Sequence, residues 1–217
     1  MVARCADIVR SRLGVARGPV PTRAGATVAC MAAVDRPLVL VLPGAGYGQQ
    51  APLLWWARTI VEEHGGEVVA PAWTVDEAAR ADPVGFVERA VKQALAGRRA
   101  DLVVAKSLGC AALPWAVREG VPGVWLTPVL LWEPVAEALA AAGSEHVAVG
   151  GSADPAWRTE RVPGTAARLQ TVDGADHALQ VAGDWRTSVR LQSDVLAVVD
   201  RAVSGVVGRG STATRES

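Results

Sequence analysis

The stretch Asp101–Ala112, D-L-V-V-A-K-S-L-G-C-A-A, decides the fold because it has the pattern of a strand, a sharp turn and the start of a helix. Residues 102–104 form the short apolar run that is typical of a strand buried on both faces. The run ends at A-K-S-L-G, and residues compatible with a helix follow it. A strand, a turn carrying one serine, and a helix together predict a nucleophile elbow.

The elbow turn is so tight that the residues two before and two after its serine must be small. Here those residues are Ala105 and Gly109, on either side of Ser107. The turn would lift the Ser107 hydroxyl clear of the sheet and point the N–H of Leu108 into the same space. The usual pattern is G-x-S-x-G, so Ala105 replaces the first glycine. Taken alone, the motif also fits a serine that only caps the following helix.

The composition is that of an ordinary soluble domain. The chain has 217 residues, 50% of them hydrophobic and 20% charged, with a formal net charge of zero, and this length suits one domain. Neutrality predicts no nucleic-acid or membrane partner, and no apolar run approaches the ~20 residues of a membrane span. Charged residues interrupt the segment where a signal peptide would be apolar, so we expect a cytoplasmic protein. An odd number of cysteines without a C-x-x-C motif argues against a disulfide framework.

Strand and helix patterns alternate along the chain. Strands are predicted at residues 38–42, 67–70, 102–105, 124–126, 146–149 and 168–172, and helices at 51–63, 83–96, 110–119, 133–142 and 184–206. This alternation predicts an α/β fold with a mostly parallel sheet of about six strands and helices on both faces. We expect one domain over residues 31–207, a poorly ordered or edge segment over 1–30, and a disordered tail over 208–217.

Polar side chains follow three of these strands, at the edge where open parallel sheets bind ligands. Ser107 follows the third strand, Asp154 the fifth and His177 the sixth. These residue types can form a catalytic triad, in which His177 takes the proton of Ser107 and Asp154 orients the imidazole. Asp173 and Asp176 are alternative carboxylates, and either would otherwise cap a nearby turn.

The loop after the first strand, P-G-A-G at residues 43–46, carries few side-chain atoms and can approach a substrate closely. We expect the N–H of Ala45 to join that of Leu108 as the second donor of an oxyanion hole, with the N–H of Gly46 as the alternative. Gly44 and Gly46 are predicted to contact the substrate.

The chain has eight tryptophans but only one phenylalanine and one tyrosine. Trp73, Trp132 and Trp157 follow predicted strands and are expected to line an apolar acyl pocket. The four that fall on predicted helices are expected in the core: Trp55, Trp56, Trp115 and Trp185.

Other polar residues are interpreted as structural. His64 at a helix end and His146 at a strand start are assigned to solvation or packing, and Lys106 is interpreted as a surface charge pointing away from the site. The loop at residues 44–49 lacks the last glycine of the fingerprint G-x-G-x-x-G, and no acidic residue ends the second strand. Dinucleotide binding is therefore the less favoured alternative. We expect no cofactor and no metal.

The sequence resembles the α/β-hydrolase superfamily over roughly residues 35–205. The resemblance rests on four motifs, which occur in the order P-G-A-G, A-K-S-L-G, G-G-S-A-D-P and G-A-D-H. The resemblance implies a serine hydrolase acting on a small-molecule acyl substrate, such as an ester or thioester. Pro43 stands where many relatives have a histidine. Residues 127–132 leave no room for the cap domain that many relatives carry. The alternative is a binding protein that keeps the fold without turnover, and the oligomeric state stays open.

Overall fold

The computed structural model describes residues 36–213, and their side chains as far as residue 208. Within these residues, six strands form one sheet in the order β2-β1-β3-β4-β5-β6, and every neighbouring pair is parallel. The strands are β1 (Leu38–Leu42), β2 (Glu67–Val69), β3 (Leu102–Lys106), β4 (Gly123–Leu126), β5 (His146–Gly151) and β6 (Arg168–Val172). This sheet confirms the predicted α/β fold class. The prediction for residues 1–30 lies outside the described residues.

Residues 36–213 also form six α-helices. They are α1 (Pro52–Glu63), α2 (Glu77–Ala81), α3 (Pro83–Leu95), α4 (Leu113–Glu119), α5 (Glu133–Ala140) and α6 (Trp185–Ala213). Helix α2 was not predicted; the carboxylate of Asp76 caps it by accepting the N–H of Ala79 at 2.8 Å. The backbone of α6 continues past the predicted end near Val206 into the predicted tail, because no proline interrupts it. Residues 214–217 lie outside the described part of the chain.

Helices cover both faces of the sheet because successive strand residues point to opposite sides. Leu40 and Ala105 belong to the core under α3, α4 and α5, whereas Val41 and Val104 belong to the core under α1 and α6. All four side chains are fully buried. Burying one such valine or leucine stabilises the fold by about 1.5–3 kcal/mol. The buried apolar strands therefore form the stable core from which the loops of the site extend.

The strand order places the site. In the sheet, β2 lies on one side of β1 and β3 lies on the other. The loops that follow β1 and β3 therefore lead away from each other at the carboxyl edge of the sheet. A crevice opens where such loops separate.

Between residues 36 and 213, no helix combines the length and hydrophobicity of a membrane-spanning segment.

The helical tryptophans only partly follow the prediction. Trp115 is buried as expected. The other three are exposed, and their prediction as core residues is wrong: Trp55 (48%), Trp56 (52%) and Trp185 (65%). The buried stripe of α1 runs through Leu54, Ala57 and Val61, so residues 55 and 56 face outward. Residue 185 is the first residue of α6 and precedes the buried stripe of that helix.

Candidate active site

Ser107 directly follows β3 and is the first residue of a short 3-10 helix, Ser107–Ala112, so it lies at the sharp turn between strand and helix. Its φ is +53°, in the left-handed region that residues other than glycine rarely adopt. Gly109 permits this turn, because a Cβ there would lie 2.7 Å from the carbonyl oxygen of Leu42. Ala105, the other small position, is fully buried. The turn therefore has the close packing that the elbow motif predicts.

Three side chains from separate loops form a continuous chain of hydrogen bonds. Nε2 of His177 lies 2.8 Å from Oγ of Ser107, and Nδ1 lies 2.7 Å from Oδ2 of Asp154. An ionised carboxylate only accepts, so the imidazole carries its proton on Nδ1 and leaves Nε2 free to accept the serine hydroxyl. The Asp154 side chain is 1% exposed, and its other oxygen accepts the N–H of Ala156 at 2.9 Å. This arrangement allows proton transfer away from the hydroxyl.

Backbone hydrogen bonds connect the loop after β5 to the loop after β6. The N–H of Ala153 donates to the carbonyl of Ala175 at 2.9 Å, and the N–H of Ser152 donates to that of Val172 at 2.9 Å. Gly151 lies at the contact, where any Cβ would collide with the Ala175 carbonyl. The backbone contact therefore holds the carboxylate and imidazole loops at a set separation.

The two alternative carboxylates have other partners. Oδ1 of Asp176 accepts the N–H groups of Ala178 and Gln180, at 2.8 and 3.0 Å, and so caps the turn after His177. Asp173 accepts the hydroxyl of Ser152 at 3.0 Å. These three bonds stabilise local loop structure. Asp154 is the carboxylate that lies within hydrogen-bond distance of the His177 imidazole.

The loop after β1 approaches the elbow closely. A Cβ on Gly44 would lie 3.2 Å from the Cβ of Ser107, so a larger residue would crowd the serine. A Cβ on Gly46 would meet nothing within 4 Å. Ala45 lines the same crevice as Ser107 and Leu108, and within residues 36–213 no acceptor takes its N–H. The N–H of Leu108, near the start of the 3-10 helix, has no acceptor within that helix.

Solved structures resemble this architecture, although no protein-family model and no curated protein matches the sequence. An α/β serine hydrolase without a lid, from Xanthomonas campestris, is 16% identical and aligns over 76% of this chain and 82% of its own, with a TM-score of 0.52. Dienelactone hydrolase from Anabaena variabilis is 18% identical over 76% and 84%, with a TM-score of 0.52. Est1E from Butyrivibrio proteoclasticus is 11% identical over 78% and 89%, with a TM-score of 0.56. The chain has the α/β-hydrolase fold.

This α/β-hydrolase fold has an open site. Residues 127–132 connect β4 directly to α5, so no cap is inserted there. A cavity of about 580 Å³ lies beside Ser107, and its walls include Trp73, Val75, Val129 and Trp132. The ring of Trp73 meets Phe86 edge to face at 5.8 Å, which supports that wall from behind. Two of the three tryptophans expected at the pocket therefore line it.

Trp157, the third, does not line this cavity, so its prediction as a pocket residue is wrong. It is 8% exposed and belongs to the core under α3, α4 and α5. Its indole N–H donates to the hydroxyl of Thr171 at 2.9 Å, and its ring covers Gly150, where a Cβ would overlap it. The loop after β5 turns back onto the sheet, so the ring packs inward instead of facing the site.

Lys106 is buried, which contradicts its interpretation as a surface charge. It is 1% exposed, and its ammonium donates to Oγ1 of Thr127 and, at 2.7 Å, to the carbonyl of His177. Burial lowers the pKa of Lys106 to about 8, although the nearby carboxylates of Asp154 and Asp176 oppose the shift. Alternation along β3 places Lys106 on the same face of the sheet as Val104, the face that α1 and α6 cover, but it does not show which groups surround the ammonium.

The remaining histidines are structural, as expected. His64 pairs with Asp200 at 2.8 Å on the outer side of α1 and α6. His146 is buried and accepts the indole N–H of Trp125 at 3.1 Å. Across residues 36–213, no three His, Cys, Asp or Glu side chains are grouped as metal ligands.

Proposed function

We propose that this protein is a serine hydrolase that cleaves a carboxylic ester, a thioester or a related acyl bond through an acyl-enzyme. The observation that carries the proposal is the chain of hydrogen bonds from Asp154 through His177 to Ser107. A free hydroxyl is a weak nucleophile, and an imidazole within hydrogen-bond distance, itself oriented by a carboxylate, is the arrangement that activates one. The strained φ of Ser107 supports the same role, since such strain concentrates at functional sites.

The proposed first half-reaction forms the acyl-enzyme. Oγ of Ser107 attacks the acyl carbon while Nε2 of His177 takes the hydroxyl proton. Asp154 stabilises the resulting imidazolium through the bond to Nδ1. The imidazolium then gives its proton to the leaving alcohol or thiol as the acyl–leaving-group bond breaks. In the second half-reaction water attacks the acyl-enzyme, with His177 again taking and returning the proton, and the acid product leaves.

The N–H groups of Ala45 and Leu108 are proposed to bind the oxyanion of each tetrahedral intermediate. Ala45 and Leu108 both line the crevice beside Ser107. Within residues 36–213 no backbone acceptor takes the N–H of Ala45, and the N–H of Leu108 has no acceptor within its 3-10 helix. Donors already aimed at the site of developing charge need no reorganisation during the reaction. Removing one such donor typically raises the barrier by about 3–4 kcal/mol.

The cavity supports a substrate with an apolar acyl group of modest size. Trp73 and Trp132 supply flat apolar walls, and the volume of about 580 Å³ lies within the range of small-molecule sites. A wide approach without a cap suits a small ester or a thioester carried on a larger group. Gln49 argues against the dinucleotide alternative, because its amide donates to the Val41 carbonyl at 2.7 Å and fills the position of the missing glycine.

A fluorophosphonate probe tests the proposal directly, since it labels only an activated serine. We expect wild type to be labelled and Ser107→Ala to be unlabelled. Ser152→Ala is the matched control, since Ser152 is an exposed loop serine after β5, hydrogen-bonded to Asp173. Equal labelling of wild type and Ser107→Ala would remove Ser107 from the mechanism. An unlabelled wild type that is also inactive on p-nitrophenyl esters of graded acyl length would instead favour a binding protein with this fold.

A further inference from the structure

The ammonium of Lys106 lies beside the candidate triad without being part of it. Both of its hydrogen-bond partners are uncharged: the hydroxyl of Thr127 and the main-chain carbonyl of His177. Burial disfavours a charged amine, and an apolar residue of similar length would fill the same space without that penalty. Any favourable contribution of the charged amine must therefore come from its two hydrogen bonds and the segments that they connect.

The bonds of Lys106 join three chain segments at the carboxyl edge of the sheet. Lys106 is the last residue of β3 and directly precedes Ser107. Thr127 directly follows β4, is fully buried, and donates its N–H to the carbonyl of Val149 on β5 at 2.6 Å. Thr127 has a φ of +48° and is tied to β5 by its N–H, and Lys106 bridges this turn to the loop that carries His177.

The His177 loop needs such an anchor. The imidazole is 38% exposed, so packing alone does not hold the ring. The loop leaves the sheet after β6, and Leu179 within it has a φ of +58°. A loop with one strained residue and a half-exposed ring can relax unless its backbone is tied to a rigid element. The Ala175 carbonyl is already bonded to the loop after β5, and the bond from Nζ of Lys106 to the His177 carbonyl adds a tie at residue 177 itself, at 2.7 Å.

We infer that Lys106 is a positioning residue, which fixes the His177 main chain so that Nε2 faces the Ser107 hydroxyl. The inference deepens the proposed hydrolase function and depends on it for its kinetic consequences. The charged or titratable groups around the ammonium are Asp154, Asp176 and Cys110, with the ring of Tyr47 at 5.1 Å. The nearby carboxylates favour the ammonium form, which keeps all three of its donors available.

Lys106→Met tests the inference, and Lys92→Met is the matched control. The chain has only these two lysines, and Lys92 is exposed and paired with Glu88. The first readout is the downfield NMR signal of the proton between Nδ1 of His177 and Asp154, assigned by its loss in Asp154→Asn. We expect Lys106→Met to shift or broaden this signal and Lys92→Met to leave it unchanged.

The second readout is kinetic. A misplacement of about 1 Å can lower the rate by about 10²-fold, so we expect kcat on p-nitrophenyl acetate to fall by about 10–10²-fold with KM nearly unchanged. We expect only a small change in melting temperature, because methionine removes a buried charge but leaves the Thr127 hydroxyl and the His177 carbonyl without this donor. An unchanged ring-proton signal would overturn the inference. So would a fall in kcat that only follows a loss of folded protein.

The two proposals fail in different ways. A wild type that is neither labelled at Ser107 nor active on esters would end the hydrolase proposal, but the ring-proton comparison needs no turnover and still decides the role of Lys106. If Lys106→Met does not fold, Thr127→Val removes one partner while keeping the side-chain shape. We expect Thr127→Val to shift the same signal by a smaller amount, and an unchanged signal there would contradict the inference.

Discussion

The Asp154 carboxylate is held from both sides: Oδ2 lies 2.7 Å from Nδ1 of His177, and Oδ1 accepts the N–H of Ala156 at 2.9 Å. Asp154→Asn would keep the shape but could place an amide donor against Nδ1, which favours the wrong imidazole tautomer. We expect kcat for ester hydrolysis to fall by about 10⁴-fold, as in serine enzymes of this type. Asp173→Asn is the control and should retain activity. Equal activity of the two variants would exclude Asp154 from the proton path.

Gly109 packs against the end of β1, and its substitution should damage the elbow. A Cβ there would lie 2.7 Å from the Leu42 carbonyl and 2.8 Å from that of Pro43, and neither backbone atom can move easily. We expect Gly109→Ala to lower the free energy of unfolding in urea by about 1–3 kcal/mol. Gly48→Ala is the control, because a Cβ there meets nothing within 4 Å. Similar unfolding curves for the two variants would show that the turn tolerates a larger residue.

His146 should make the fold sensitive to mild acid. Burial lowers its pKa from the ordinary value of 6.5, and its Nδ1 must stay unprotonated to accept the indole N–H of Trp125. As pH falls below about 6.5, the unfolded chain therefore takes up a proton that the folded chain resists, and stability declines. Above that pH the contribution of the neutral ring is fully present.

His146→Gln separates this effect from that of the carboxylates, because glutamine can accept the same hydrogen bond but does not titrate. We expect urea unfolding to show a smaller decline in stability between pH 7.5 and pH 5 for His146→Gln than for wild type. Parallel declines would assign the acid sensitivity to other groups.

Trp132 and Trp157, which follow β4 and β5, should differ in what they control. Trp132 lines the cavity beside Ser107, so Trp132→Ala should lower kcat/KM for long or aromatic acyl esters relative to acetate, by about tenfold or more. Trp157 lies in the core, so Trp157→Ala should lower the free energy of unfolding by about 3–5 kcal/mol without changing acyl preference. Ester panels and urea unfolding of both variants test this division. A shift in acyl preference in Trp157→Ala would contradict the position of its ring.

The features predictable from sequence were those that depend on neighbours along the chain. Apolar runs of strand length, separated by helical periods, predicted the parallel sheet, since each element must bury its own apolar face. The order of Ser107, Asp154 and His177 after three strands predicted that they would meet, because parallel strands end at one edge. Small residues at 105 and 109 indicated the elbow for an equally local reason.

The direction of individual side chains at loop and strand ends was decided only by the tertiary structure. Lys106 points inward because Thr127 and the His177 carbonyl, both distant in sequence, surround its ammonium. Trp157 is buried because its loop folds back over Gly150, and Trp55 is exposed because other residues of α1 form the buried stripe. Local sequence determines which element forms and at which edge a residue lies. What a side chain touches depends on contacts between segments far apart in the chain, and those contacts exist only once the sheet has assembled.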